Sequence, residues 1–253
     1  ITEGVISDIA WAQNPNNLFY AVLRNGDIAL MTYERGNNIY GWSKITTTGR
    51  YLSICSGVRD GVSIIHAAVN RTRTFTGIDV RKLNSKFHMD MYEEQYHEGG
   101  SGTTITGLDS FNQEEVQVLV DGAVHPNRTV VASTITLDWG GQHIVVGLPY
   151  ESKLKTVPVN SMGSKIGASV PHLKHFNKIY IQILESAYPL VNGERPSERS
   201  FNSAMDMTEP DATETLQALN DGWDYNATME IIQDLPRACT ILSVSGELNQ
   251  EIP

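Results

Sequence analysis

Leu18-Phe19-Tyr20-Ala21-Val22-Leu23, then Arg24-Asn25-Gly26-Asp27, then Ile28-Ala29-Leu30-Met31-Thr32-Tyr33 is the stretch that decides the fold class. Two apolar, β-prone runs of strand length flank an Asn-Gly pair, the dipeptide that most readily takes the primed turn of a hairpin. The same grammar repeats downstream. Tyr51 to Val58 runs into Arg59-Asp60-Gly61, and Val62 to Val69 returns from it. Between the hairpins, Gly41-Trp42-Ser43-Lys44-Ile45-Thr46-Thr47-Thr48-Gly49 is a short β-prone segment of its own. Equivalent strands recur every ~30 to 40 residues, the spacing of β-propeller blades, and two such units cannot close a ring.

The β pattern resumes further on. Val116 to Val120 leads into Asp121-Gly122, a hairpin turn, while Val130 to Leu137 and His143 to Leu148 flank Asp138-Trp139-Gly140-Gly141, read as a turn. Lys178 to Leu184, Met229 to Ile232 and Thr240 to Val244 complete the expected strands. Between the two β regions, Phe87 to Glu98 carries Asp90, Glu93, Glu94 and Glu98 and runs into Gly99-Gly100-Ser101-Gly102. Acidic residues followed by a glycine-serine run predict a linker. The expected organisation is all-β and antiparallel. Propeller-like hairpin blades over 1–90 precede an acidic linker over 91–104 and a β-sandwich or barrel-like domain over 105–253. Residues 185–228 are read as a long polar loop with prolines at 189, 196 and 210, in which only Thr213 to Leu219 has helix-compatible composition, too short to stand alone.

Composition narrows the function. With 29 acidic against 19 basic side chains the net charge is -10, the wrong sign for gripping nucleic acid or an anionic membrane. No window approaches about 18 consecutive apolar residues, and no basic-then-apolar leader opens the sequence, so a soluble chain without a membrane anchor is expected. A first residue of Ile1 suggests a processed product or a piece of something longer. Cys55 and Cys239 lie far apart in apolar runs and are expected to be buried, reduced thiols.

Chemistry-bearing patterns are sparse. G-x-S-x-G, G-x-x-x-x-G-K-[ST] and G-x-G-x-x-G are absent, which removes the usual signals of a nucleophile elbow or a nucleotide cradle. His172 and His175 stand three apart without an acidic residue at zinc-ligand spacing, and read as packing or surface histidines. His88 and His97 flank the acidic residues, a composition able to attract a cation but common without one. Asp60, Asp121 and Asp221 each precede a glycine and are assigned to turns. The sequons at Asn70, Asn127 and Asn226 occur at a chance frequency for a chain so rich in Asn, Ser and Thr. Trp11, Trp42, Trp139 and Trp223 are spread one per region. No catalytic residue, metal or cofactor is assigned.

One resemblance covers most of the chain up to Tyr150 and then its end. Ile6-Ser7-Asp8-Ile9-Ala10-Trp11-Ala12-Gln13-Asn14-Pro15-Asn16-Asn17-Leu18-Phe19-Tyr20-Ala21-Val22, Asn25 to Arg35 and Gly41-Trp42-Ser43-Lys44 resemble, in order and spacing, a stretch of the tail nozzle proteins of short-tailed bacteriophages, also called tail tubular protein B. Ile105 to Leu108, Val116 to Gly122, Ile135 to Leu137, Val145 to Tyr150, and Leu235-Pro236 with Thr240 to Val244 are similar to the same family. Family members are much longer, and this chain corresponds to their C-terminal part.

The resemblance implies a non-enzymatic structural protein of the virion tail, assembled in the host cytoplasm. It implies a homo-oligomer, a hexameric ring below the tail adaptor or tube protein. Such a ring forms a conduit for DNA ejection and a docking surface for fibres or spikes. Genomic DNA would pass through without specific binding, a role that suits an acidic wall, because each phosphate contact adds affinity and friction. Asp90, Glu93, Glu94 and Glu98 are then expected in a mobile loop facing the lumen or a neighbouring subunit. The alternative is a phage or prophage carbohydrate-binding or glycan-cleaving module acting at the host surface. It requires a groove lined by exposed tryptophans with two carboxylates at hydrolase separation; Trp42 and Trp139 on one exposed face would favour it, and both buried would count against it. A propeller interaction module of a bacterial host is a third reading.

Overall fold

The chain reverses where the Asn25-Gly26 pair stands. Gly26 takes a left-handed φ of +94°, and its N–H bonds the Leu23 carbonyl at 2.9 Å. The computed structural model describes residues 4–71, 77–82, 87–99, 102–159, 172–196, 215–218 and 222–250. It divides into two compact units, Ile1–Ser85 and Lys86–Pro253.

In the first unit, β1 (Ile6–Ala12), β2 (Leu18–Leu23), β3 (Ile28–Glu34) and β4 (Ile39–Ile45) form an antiparallel meander in that order. A second sheet holds β5 (Gly49–Arg59), β6 (Val62–Arg71) and β7 (Gly77–Lys82), its first hairpin closed by Asp60 and Gly61 at positive φ. Period-two alternation turns Ala10, Ala12, Tyr20, Val22 and Ile28 of one sheet toward Tyr51, Ile54, Ile65, Ala67 and Val69 of the other, making one buried layer. Each large side chain buried this way contributes about 1.5–3 kcal/mol. Polar stitches hold the two sheets in register. The Asp8 carboxylate accepts the Ile54 N–H at 2.9 Å, and the Ser63 hydroxyl oxygen accepts the Gln13 and Asn14 N–H groups at 3.0 and 3.2 Å. Burial in this layer pushes the Tyr20 phenol up to about 12.

The second unit opens with β8 (Met89–Tyr96), β9 (Gly102–Thr106) and a short 3-10 turn, Asp109–Phe111. Next come β10 (Glu115–Val120), β11 (Ala123–Thr129), β12 (Thr134–Gly141) and β13 (His143–Pro149). The remaining strands are β14 (Ser152–Lys155), β15 (Lys174–Ile183), β16 (Leu190–Val191), β17 (Thr215–Ala218), β18 (Glu230–Gln233) and β19 (Ile241–Gln250). Their sheets run β11-β10-β13-β8, β12-β9, β14-β18-β16 and β17-β15-β19. Two cores result. One gathers Ile105, Phe111, Val118, Ile135, Ile144 and Val146, the other Phe176, Ile179, Ile181, Tyr188, Val191 and Ile231. His125 seats the β11–β12 corner. It is buried, its Nε2 accepts the Asp138 N–H at 2.9 Å, and its Nδ1 lies 2.8 Å from the Pro126 carbonyl oxygen, which calls for the Nδ1–H tautomer.

The all-β, antiparallel expectation holds: among the described residues there is no α-helix, and no sheet closes into a barrel. Several local readings are corrected. The acidic linker over 91–104 is not one, because β8 occupies most of its first half and pairs with β13 from His143↔Tyr96 to Pro149↔Met89. The chain divides before β8, near residue 85, ahead of the expected boundary at 90. Asp138-Trp139-Gly140-Gly141 belongs to β12, and the expected strand from Val130 is instead broken by a reversal between β11 and β12 at Ala132 and Ser133, both at positive φ. Within the helix-compatible stretch, Thr215–Ala218 pairs with β15 as strand, since four residues cannot sustain a helix but can complete a ladder. Cys55 is exposed and Cys239 half-buried, both free thiols. Alternation along β5 turns Ile54 inward and so Cys55 outward.

Candidate functional site

The expected acidic group is dispersed by the strand that carries it. On β8, Glu93 lies opposite Val146 and Glu94 opposite Val145, so consecutive carboxylates leave on opposite faces of the sheet. Asp90 is 2% exposed, so its carboxylate is unavailable to a lumen or a neighbour, while Glu98 is exposed in the turn after β8. The four acids form neither a loop nor a cluster.

Glu94 finds different company. Its Oε2 is 3.1 Å from Nε2 of His143, its diagonal neighbour on β13, and accepts the Tyr96 hydroxyl at 3.3 Å. The Tyr96 ring stacks on the His143 imidazole with centroids 4.5 Å apart and planes 12° from parallel. Desolvation, then the charge and hydrogen bond of Glu94, raise the Tyr96 phenol. This trio spans the edge strand β8 and its neighbour β13. It is a cross-strand histidine–carboxylate contact capped by an aromatic ring, of the kind worth about 0.2–1 kcal/mol.

Glu93 faces the other way, toward the 3-10 turn. Burial raises its carboxyl above the usual range and the Asp109 charge adds to this, against a Ser110 hydrogen bond that lowers it. In the unfolded chain Glu93 ionises first as pH rises, so its ionisation favours unfolding between the ordinary glutamate value and the higher folded one. Glu93→Gln is therefore expected to match the wild type in urea midpoint near pH 4 and to exceed it near pH 7. A variant advantage that is largest in acid and shrinks toward neutrality would contradict this.

No group of three or more His, Cys, Asp or Glu side chains able to hold a metal ion occurs among the described residues. His175 packs edge-on against Trp223 at 4.3 Å and meets Asn249 at 3.3 Å, a packing histidine. His88 lines a cavity of about 150 Å³ with Lys153, Leu154, Gln233, Cys239 and Ile241. Burial lowers the His88 imidazole and raises the Cys239 thiol, so both are neutral near pH 7, the opposite of an activated thiolate pair. The Asp121 carboxylate accepts the His143 and Gln142 N–H groups at 2.8 and 3.1 Å, the structural task expected of a turn aspartate; Asp221 lies outside the described residues.

No family model and no curated protein matches the chain.

The tryptophans divide. Trp139 is half-buried in the second unit, packed on its core with the ring 4.3 Å from His125, and cannot form part of an exposed platform. Trp42, in the first unit, is 44% exposed and has aromatic company that the linear sequence conceals. Register aligns Trp11↔Phe19, Phe19↔Met31 and Met31↔Trp42 across all four strands of the meander, with Tyr33↔Tyr40 in the next row. These side chains occupy the face turned away from the β5–β7 sheet. Tyr33 stands 6.5 Å from Trp11 and 5.3 Å from Tyr40. The signal for this face lay in the odd positions of the first strand and hairpin, legible only once the pairing partners are known.

Proposed function

We propose that this chain is a subunit of the tail nozzle of a short-tailed bacteriophage, a non-enzymatic wall of the DNA conduit that works as a homo-oligomer. In this reading β1–β4 and β5–β7 are propeller-like blades and the second unit is sandwich-like. The supporting observation is where aliphatic side chains remain uncovered. Ile39 on β4, Leu154 on β14 and Leu242 on β19 are 47%, 48% and 53% exposed, and each of these strands is the edge of an open sheet. An apolar side chain beside unpaired N–H and C=O groups is an aggregation hazard in a monomer and a contact in an assembly. The ordered resemblance of the β1–β4 and β10–β13 segments to nozzle proteins supports the same reading, and the charge of -10 suits a wall past which DNA slides.

Native mass spectrometry with negative-stain microscopy tests it. The expected species is a closed ring of about six times the 28.0 kDa chain mass. A strict monomer at tens of micromolar, or an open polydisperse filament, would overturn the reading.

A further inference from the structure

The exposed face of the β1–β4 sheet is a floor of aromatic rings, and from its composition, size and charge we infer that it is a binding surface for a neutral oligosaccharide chain. This goes beyond the nozzle reading and stands or falls separately from it.

Composition comes first. Trp11 is 38% exposed, Tyr40 56% and Trp42 44%, with Phe19, Met31 and Tyr33 filling the space between them. Rings exposed on this part of the sheet face offer π surface to the polarised C–H face of a pyranose, and Trp and Tyr add polar edges that can bond its hydroxyls. Size comes next. Trp11 and Trp42 stand on the two edge strands, three strand spacings apart, about 14 Å. The aromatic rows cover that width and about 10 Å along the strands, a few hundred Å² at most, well short of the ~800 Å² per partner that a stable protein interface needs. A short run of linked sugar rings fits that strip.

Charge decides between the two flat ligands that stack on aromatic rings. Nucleobases arrive with phosphates, and single-strand binders surround their aromatic platforms with cations. Within the four strands the one cation is Lys44, whose Nζ is 2.6 Å from the Asp27 carboxylate; Arg24 and Arg35 lie in the turns, at the rim of the sheet. Beside the platform, at the start of the β3–β4 turn, Glu34 accepts the Asn37 side-chain N–H at 2.9 Å. A strand of nucleic acid would meet no unpaired positive charge on these strands, whereas an uncharged glycan needs none.

The test is isothermal titration calorimetry of the full chain against hexasaccharides of β-1,4-linked glucose, α-1,4-linked glucose and β-1,4-linked N-acetylglucosamine, with a single-stranded oligothymidylate in parallel. At least one glycan is expected to bind. Trp42→Ala and Trp11→Ala are each expected to weaken that binding by about tenfold while the chain stays folded, with the thermal midpoint lowered by no more than about 5 °C, because each side chain is more than a third exposed. Trp139→Phe serves as the control and leaves binding as it was. The inference is overturned if no hexasaccharide binds, if binding survives both platform substitutions, or if the oligothymidylate binds more tightly than every glycan. It is also overturned if Trp42→Ala lowers the oligomeric mass, which would assign the face to a second copy of the chain.

Discussion

Gly147→Val is expected to lower the unfolding free energy by about 3 kcal/mol, read from urea denaturation, because it forces a side chain into a space that β8 already fills. A Cβ built on Gly147 would lie 2.3 Å from the Met91 carbonyl oxygen and 2.6 Å from the Met89 sulfur. Neither atom can yield cheaply. The first is backbone in the adjoining strand, and the second belongs to a side chain buried with Leu119 and Val145. The substitution should therefore pry β8 from β13 and separate His143 from Glu94, whose contact depends on that pairing. Gly57→Ala is the matched control: Gly57 also lies in a strand, β5, yet nothing stands within 4 Å of its added Cβ, and a change within about 0.5 kcal/mol is expected. If residues 89–96 were a linker, both substitutions would be equally mild. That result would overturn the placement of β8.

The second large effect is expected from Phe111→Ala, at about 3–5 kcal/mol. Phe111 ends the 3-10 turn, is fully buried, and packs with Leu108, Val116 and Val130 in the first core of the second unit. Truncating it removes aromatic transfer energy and leaves a cavity that strands on several sides cannot collapse to fill. The same turn carries Asp109 and Ser110 beside Glu93, so loosening it should also reduce the pH dependence that Glu93 brings. Should Phe111→Ala fail to fold, Phe111→Leu retains most of the volume and is expected to lose a smaller, measurable part of the stability. A loss under about 1 kcal/mol for the alanine variant would show that the turn is not anchored by this ring.

Both substitutions probe places where reading and structure parted. Local chemistry was legible. Asn25-Gly26, Asp60-Gly61 and Asp121-Gly122 each close a hairpin, with the glycine at positive φ, because a tight reversal depends on the residues within it. Strand β2 begins and ends where alternating and apolar runs predicted, and β10 and β13 lie within a residue of expectation. The acidic stretch misled for a physical reason. An edge strand is half solvated, so Glu93, Glu94 and Gln95 are tolerated there, and charge on an edge also guards against unwanted pairing. Composition alone cannot separate such a strand from a solvated loop.

The sequence by itself determined the β class, the antiparallel hairpins and the acidic balance, each of which follows from near neighbours or from simple sums. Tertiary structure alone decided which strands meet. It sent Glu93 and Glu94 to opposite faces, brought His143 to Glu94 across 49 positions, and drew Trp11, Phe19, Tyr33, Tyr40 and Trp42 onto one face. Pairing register is set by the burial of whole faces against distant partners. A one-residue slip would reverse every side chain on a strand, and no local window of sequence contains that energy.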